Sequence, residues 1–212
     1  MKNRYGQLPK PIGTYQVQPT EMMFYQDMPI KMKRYSTPLY EDRISVFNEI
    51  ILAAIDDFIK IYGIEQYINT YVYLSVKHLF QPVKEPFNRP GWHCDGFMTN
   101  DINYIWSDKN PTVFNFSEFI LTQNDSISIK EMEIQANPEN NFIYPENTLI
   151  RLNQYNVHRV ADVTEAGMRA FIKISFSTDK YNLVGNSHNY LLDYNWEMQE
   201  RNVDRNIPQS KI

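Results

Sequence analysis

Arg169-Ala170-Phe171-Ile172-Lys173-Ile174-Ser175-Phe176-Ser177 sets the reading of the whole chain. Side chains on an extended backbone alternate between two faces. Ala170, Ile172, Ile174 and Phe176 therefore share one apolar face, and Arg169, Phe171, Lys173, Ser175 and Ser177 share the other. Such a strand buries its apolar side in a core and turns a guanidinium, an ammonium group and two hydroxyls toward a more polar interior. The same period of two runs through 71–77, with Val72, Leu74 and Val76 opposite Tyr71, Tyr73, Ser75 and Lys77. Strand-like runs also cover 102–106, 113–121, 127–134, 148–154 and 157–160. Asn, Asp, Pro and Gly fill the breaks, as in Ser107-Asp108-Lys109-Asn110-Pro111 and Asn137-Pro138-Glu139-Asn140-Asn141. Short strands at steady spacing, with no helical pattern between them, predict a mainly β fold of the sandwich or barrel kind.

One strong helical stripe precedes the strands. Ile44, Phe47, Ile51, Ala54, Ile55, Phe58 and Tyr62 recur at helical spacing. Thr37 as a cap, Pro38 in the first turn, and Glu41 and Asp42 at the positive end of the dipole predict a helix over 38–62. Gly63 is a natural stop. The apolar face of this helix needs a broad partner, most simply a sheet. Residues 1–36 are punctuated by Pro9, Pro11, Pro19 and Pro29 and read as an arm. Met22, Met23, Phe24, Tyr25, Met28 and Ile30 are too apolar to stay in water, so the arm is expected to lie on the domain that spans 37–185. From 186 onward the tail has no clear period except 190–196, which is expected to dock, and 201–212 reads as disordered.

The composition bounds the function. A chain of 212 residues with 42% hydrophobic and 22% charged residues can bury a core without staples. Cys94 is the one cysteine, so no intrachain disulfide forms and a reducing cytoplasm is the expected compartment. No apolar run approaches a membrane span, and no apolar core follows the basic N-terminal residues, so neither a span nor a signal peptide is expected. A net charge of −4 argues against broad binding of nucleic-acid backbones.

The chemistry concentrates in Gly91-Trp92-His93-Cys94-Asp95-Gly96-Phe97. His93 and Asp95 lie two apart, so on an extended chain they project together, with Cys94 turned away as a small buried hydrophobe. An imidazole and a carboxylate on one face are two members of a 2-His-1-carboxylate set, which suits non-haem Fe(II) and leaves coordination positions open. The same donor types also serve zinc. Of the four histidines, His78 and His188 read as structural, while His158 sits at the end of a strand pattern. Arg169 follows it by eleven residues (169 minus 158), across a turn at 162–167. A guanidinium there matches the planar fork of a carboxylate.

The order His93-x-Asp95, His158, Arg169 resembles the Fe(II)- and 2-oxoglutarate-dependent dioxygenase superfamily. The resemblance covers 71–177 as strand order and these four anchor residues. It implies a double-stranded β-helix, or jelly roll, with a supporting helix on its outside. It implies His93, Asp95 and His158 as ligands of Fe(II), Arg169 on the distal carboxylate of 2-oxoglutarate, and O2 as oxidant. The reaction implied is oxidative decarboxylation of 2-oxoglutarate coupled to hydroxylation, or a related oxidation, of a second molecule. Related halogenases lack the carboxylate ligand, so Asp95 favours hydroxylation. Many relatives carry Ser two residues after the Arg; here that position is Phe171, and Tyr71, Tyr73, Lys77 or Thr112 is expected to supply the missing hydrogen bond. Trp92, Phe97, Tyr104, Trp106 and Arg151 are the candidates to line a substrate mouth. Two other readings stay open: a cupin-like metal-binding isomerase or hydrolase, and a binding module without chemistry.

Overall fold

The alternation in 169–177 becomes β9 (Gly167–Ser177), an interior strand of a six-stranded antiparallel sheet. The computed structural model describes residues 5–201. Beside β9 run β3 (Tyr71–Gln81) and β4 (Ile102–Ser107); β2 (Met23–Lys31) flanks β3, while β7 (Thr148–Leu152) and then β1 (Lys10–Thr14) continue beyond β4, in the order β1-β7-β4-β9-β3-β2. A smaller antiparallel sheet orders β6 (Asn141–Ile143), β5 (Val113–Asn115) and β8 (His158–Arg159) as β6-β5-β8. The fold is mainly β, with three α-helices among the described residues: α1 (Asn48–Tyr62), α2 (Ile64–Asn69) and α3 (Asp125–Gln135).

Burial assigns each face of the large sheet. Register pairs Val72 with Phe176, Leu74 with Ile174 and Val76 with Ile172, so one face is aliphatic and aromatic throughout. The stripe Ile50, Ile51, Ala54, Ile55 and Phe58 of α1 packs on it in a single buried cluster. Phe58 stacks flat on Phe176, ring centroids 4.1 Å apart. Each such side chain contributes roughly 1.5–3 kcal/mol of transfer free energy. The opposite face carries Ser75, Lys77, Phe171 and Lys173. It looks toward the small sheet, which docks through Phe114 against Ile105, Ile150 and Leu152. A cavity of about 510 Å³ opens between the two sheets.

Several expectations change. The helix starts at Asn48 rather than 38, after a 3-10 turn at Asp42–Phe47. The Leu39 N–H donates to the Ile30 carbonyl at 2.7 Å, and this tertiary bond holds 38–41 outside the helix. Gly63 ends α1 with φ +87°, as its position suggests. The run 127–134 is not a strand but most of α3, capped by Asn124, whose side chain accepts from the Ile127 N–H. The run 113–121 stops at Asn115, whose side chain accepts from the Ser117 N–H and donates to the Asn137 carbonyl, bending the chain out of the sheet. The arm supplies both edge strands of the large sheet: β1 pairs with β7, and β2 pairs with β3. Pro29 is tolerated in β2 because edge strands have a side that needs no ladder donor. The tail docks along β2: Gln26 and Ser187 exchange hydrogen bonds, and buried Asn189 donates to the carbonyls of Pro29 and Leu39. Positions 202–212, most of the segment read as disordered, lie outside the described residues. No helix among the described residues is long and apolar enough to cross a membrane.

Candidate metal centre

His158 is held by β8, and its backbone pairs with His93 on the segment that enters after the 82–90 loop. The His93 N–H donates to the His158 carbonyl and the His158 N–H to the His93 carbonyl, both at 2.9 Å. This isolated bridge sets the two rings 4.5 Å apart, centroid to centroid. Each ring is then oriented by a carbonyl two residues earlier: His93 Nδ1 is 2.9 Å from the Gly91 oxygen, and His158 Nδ1 is 2.9 Å from the Asn156 oxygen. A carbonyl only accepts, so Nδ1 carries a proton on both rings, and Nε2 is the nitrogen each ring can offer to a metal. Gly91 has φ +80°, a conformation that other residues rarely adopt.

Asp95 completes the group. One donor atom from each of His93, Asp95 and His158 lies within 4.8 Å of the others. Asp95 Oδ2 is 3.9 Å from His158 Nε2. Two imidazoles and one carboxylate, all presented to one cavity, fit a divalent transition metal and leave its remaining positions facing open space. The electrostatics suit that role. Burial, together with neighbouring His158, pushes the His93 pKa down to about 3, so the ring is neutral at neutral pH. Burial alone would raise the Asp95 carboxyl, but Lys173 and the two imidazoles outweigh it and hold it below the usual carboxylate range. Burial and Asp95 push the Cys94 thiol up, and its Sγ packs on Met132 Sδ at 3.9 Å, as a hydrophobe rather than a nucleophile.

A second layer surrounds the triad. Lys173 Nζ lies 3.9 Å from Asp95 Oδ2 and 3.7 Å from Asp27 Oδ1. Asp27 reaches this place because β2 shifts register between Tyr25 and Met28, with Asp27 at φ +42°. Its N–H donates to Ser75 Oγ, which returns a bond to Asp27 Oδ1. Lys173 and Asp27 were not singled out as site residues from sequence. Lys173 had a signal, the polar face of β9; Asp27 sits in an arm whose pairing is non-local.

The structure separates the other candidates. Lys77 and Thr112 line the cavity. Lys77 Nζ donates to the Phe87 carbonyl and to Asn88 Oδ1, at 2.8 and 2.7 Å. Burial, with the nearby charges of Lys173 and Arg169, lowers its pKa to about 8. Arg169 is buried and is not among the residues that line the cavity. Its Nε and Nη2 donate to the Lys109 and Asn110 carbonyls of the β4–β5 loop, because a buried guanidinium needs acceptors and that loop offers them. Tyr73 donates to the Asp179 carbonyl and stacks on Tyr181, and Tyr71 packs against Trp196; neither is among the residues that line the cavity.

The mouth candidates also fall elsewhere. Trp106 is in the helix-side core and donates to the Tyr15 carbonyl. Arg151 and Tyr104 share Asp57 Oδ2 on that same side, at 2.6 and 2.8 Å. Phe97 and Trp92 sit in a satellite core with Val157, and Trp92 reaches the site only through its ring, 5.4 Å from the Arg159 guanidinium. His78 bonds the Glu21 carbonyl and His188 stacks on Tyr194, both structural.

No family model matches the chain, and no curated protein matches it. Among solved structures, EvdO2 from Micromonospora carbonacea var. aurantiaca is similar at 10% identity and a TM-score of 0.35, over 62% of this chain. This chain spans 64% of the length of that one, and a likeness this distant carries no argument here.

Proposed function

We propose that the protein is a mononuclear non-haem Fe(II) oxygenase that uses 2-oxoglutarate and O2, built on a jelly roll whose two walls are the large and small sheets. The observation that carries this reading is the His93–Asp95–His158 group opening onto the inter-sheet cavity, which Lys77 and Thr112 also line. When bound there, the iron would supply the oxidative chemistry. The chain's own residues do the rest. His93 and His158 present Nε2 because backbone carbonyls fix Nδ1. Lys173 compensates Asp95 and is itself anchored by Asp27.

In this reading Lys77 and Thr112 take the distal carboxylate of 2-oxoglutarate. Lys77 is pre-oriented by its two acceptors and retains a further N–H for the ligand. Arg169 braces the loop that carries Thr112. A charge-assisted hydrogen bond of this kind is worth about 1.5–3 kcal/mol, roughly 10- to 100-fold in affinity. Lys77→Met should weaken 2-oxoglutarate binding by that factor in anaerobic calorimetry with Mn(II), with Mn(II) affinity unchanged. An unchanged 2-oxoglutarate affinity would remove Lys77 from the role.

A further inference from the structure

A second recess lies at the end of the large sheet where β3 and β4 begin and β7 and β9 finish, against the last turn of α1. It holds about 400 Å³, within the range of small-molecule sites, and shares no lining residue with the metal cavity. Its chemistry differs as well. No lysine, arginine or histidine among the described residues lines it, and Asp101 is its single carboxylate. Side-chain amides come to it from Gln66, Asn100, Asn153 and Gln154. Two of them are set by the backbone. Asn153 Oδ1 accepts from the Tyr155 N–H at 3.0 Å, and Gln154 Oε1 from the Met98 N–H at 3.1 Å. A backbone N–H only donates, so the oxygen of each amide is the engaged atom and its NH2 group is left to donate. Asp101 supplies an acceptor. It is 6% exposed, and its Oδ2 accepts from the Tyr181 hydroxyl at 2.7 Å, which leaves lone pairs on Oδ1. A turn fixes it there: the Thr99 hydroxyl donates to the Gly96 carbonyl at 2.8 Å and accepts from the Asp101 N–H at 3.2 Å. An aromatic face completes the wall. Tyr62 is 39% exposed and packs on Phe58, centroids 4.8 Å apart, which in turn lies flat on Phe176.

We propose that this recess is a binding site for an uncharged saccharide, separate from the metal centre and independent of the oxygenase reading. A ring hydroxyl both donates and accepts. Neighbouring hydroxyls therefore take the NH2 groups of Asn153 and Gln154 and return a hydrogen bond to Asp101. The apolar C–H face of the sugar ring lies on Tyr62, whose body is apolar and whose hydroxyl stays wet. A wall without cations disfavours a phosphorylated or carboxylated ligand. A single carboxylate that already accepts from Tyr181 disfavours one selected by positive charge.

The test uses the full chain and ligand-observed NMR. The probes are the methyl α-D-pyranosides of glucose, galactose and mannose, with cyclohexanol and adenosine as counter-probes. One hydrogen bond is worth about two- to tenfold in affinity. At least one glycoside is therefore expected to bind about tenfold or more tightly than either counter-probe. Tyr62→Ala and Gln154→Ala should each weaken that binding by about fivefold or more, with Mn(II) affinity at the wild-type value. The two substitutions lie on different elements, α1 and the segment after β7, so a lowered urea midpoint in one leaves the other to decide. Failure of all three glycosides to bind would overturn the proposal, and so would wild-type glycoside affinity in both variants. Cyclohexanol binding as tightly as the glycosides would reduce the recess to an apolar hollow, and adenosine doing so would replace the saccharide by a planar base. Displacement of the glycoside by Mn(II) with 2-oxoglutarate would put it in the metal cavity instead. Glycoside binding without any Mn(II) or 2-oxoglutarate binding would uphold this site and remove the oxygenase reading alone.

Discussion

His93 and His158, 65 residues apart in the chain (158 minus 93), exchange both of their backbone hydrogen bonds at 2.9 Å. The two imidazole donors are thus fixed by main-chain pairing before any metal is considered. Their ring nitrogens are fixed by two further carbonyls. Replacing either ring by Ala leaves the backbone pair in place and removes only the donor. His93→Ala and His158→Ala should each keep the fold, read by circular dichroism, and weaken Mn(II) or Fe(II) binding by more than the ~10–100-fold typical of a lost outer-layer partner. Metal affinity within twofold of wild type in both would remove the centre.

Lys173 bridges two carboxylates, Asp27 and Asp95, whose side chains are 15% and 25% exposed. Lys173→Met leaves them facing each other without a cation. The loss should be about 1–3 kcal/mol, below that of a fully buried pair because both carboxylates keep some water. Added Mn(II) should restore part of it by neutralising Asp95. Urea unfolding with and without metal reads both numbers, and a metal-independent loss would place the effect outside the site.

Arg151, expected from sequence at a substrate mouth, instead pairs with Asp57 at 2.6 Å on the helix side. Arg151→Met should cost about 1–3 kcal/mol of stability and leave succinate formation from 2-oxoglutarate at the wild-type rate. A selective loss of turnover with normal stability would return Arg151 to the site.

Stability should rise with pH above 8. Lys31 is fully buried, with Nζ donating to the Thr70 carbonyl, and burial lowers its pKa from 10.5 to about 8. Lys77 is lowered to about 8 as well, by burial and by neighbouring Lys173 and Arg169. Between pH 8 and the unfolded value the unfolded chain holds more protons, so unfolding free energy climbs with pH. Above about pH 10 the sign reverses, because burial raises tyrosines such as Tyr67, to about 12, and only the unfolded chain ionises there. Chemical denaturation across pH 7–11 should show a maximum near 10. Lys31→Met should flatten the rising limb, and a monotonic fall from pH 8 would contradict the assignment.

What the sequence made legible follows from period. β3, β4 and β9 declare themselves because one face of each is continuously apolar, and the stripe of α1 does the same at helical spacing. Pairing between distant segments left no local trace. The arm's run from Met22 to Ile30 reads as merely apolar, and only its placement against β3 makes it a strand that delivers Asp27. α3 misleads because Ile127 with Ile129, and then Met132 with Ile134, each imitate alternation. Ile134 is 84% exposed, and the buried residues are Ser128 and Met132, four apart. Asn124 before Asp125 was the available signal for that helix, as an N-cap. The candidate ligands His93, Asp95 and His158 were legible because a His-x-Asp pair and a later strand-end His are few enough to try together. Arg169 was legible as an inward-facing cation but not as one occupied by the Lys109 and Asn110 carbonyls, since a loop's path is set by contacts far from it.

The most direct test of the central claim is succinate formation from 2-oxoglutarate by purified protein in air, with Fe(II) and ascorbate, with and without chelator. Slow Fe(II)-dependent turnover is expected, stopped by chelator and abolished by Asp95→Ala and by His158→Ala. Metal-loaded wild-type protein that neither binds 2-oxoglutarate nor releases succinate, or variants that turn over like wild type, would contradict it.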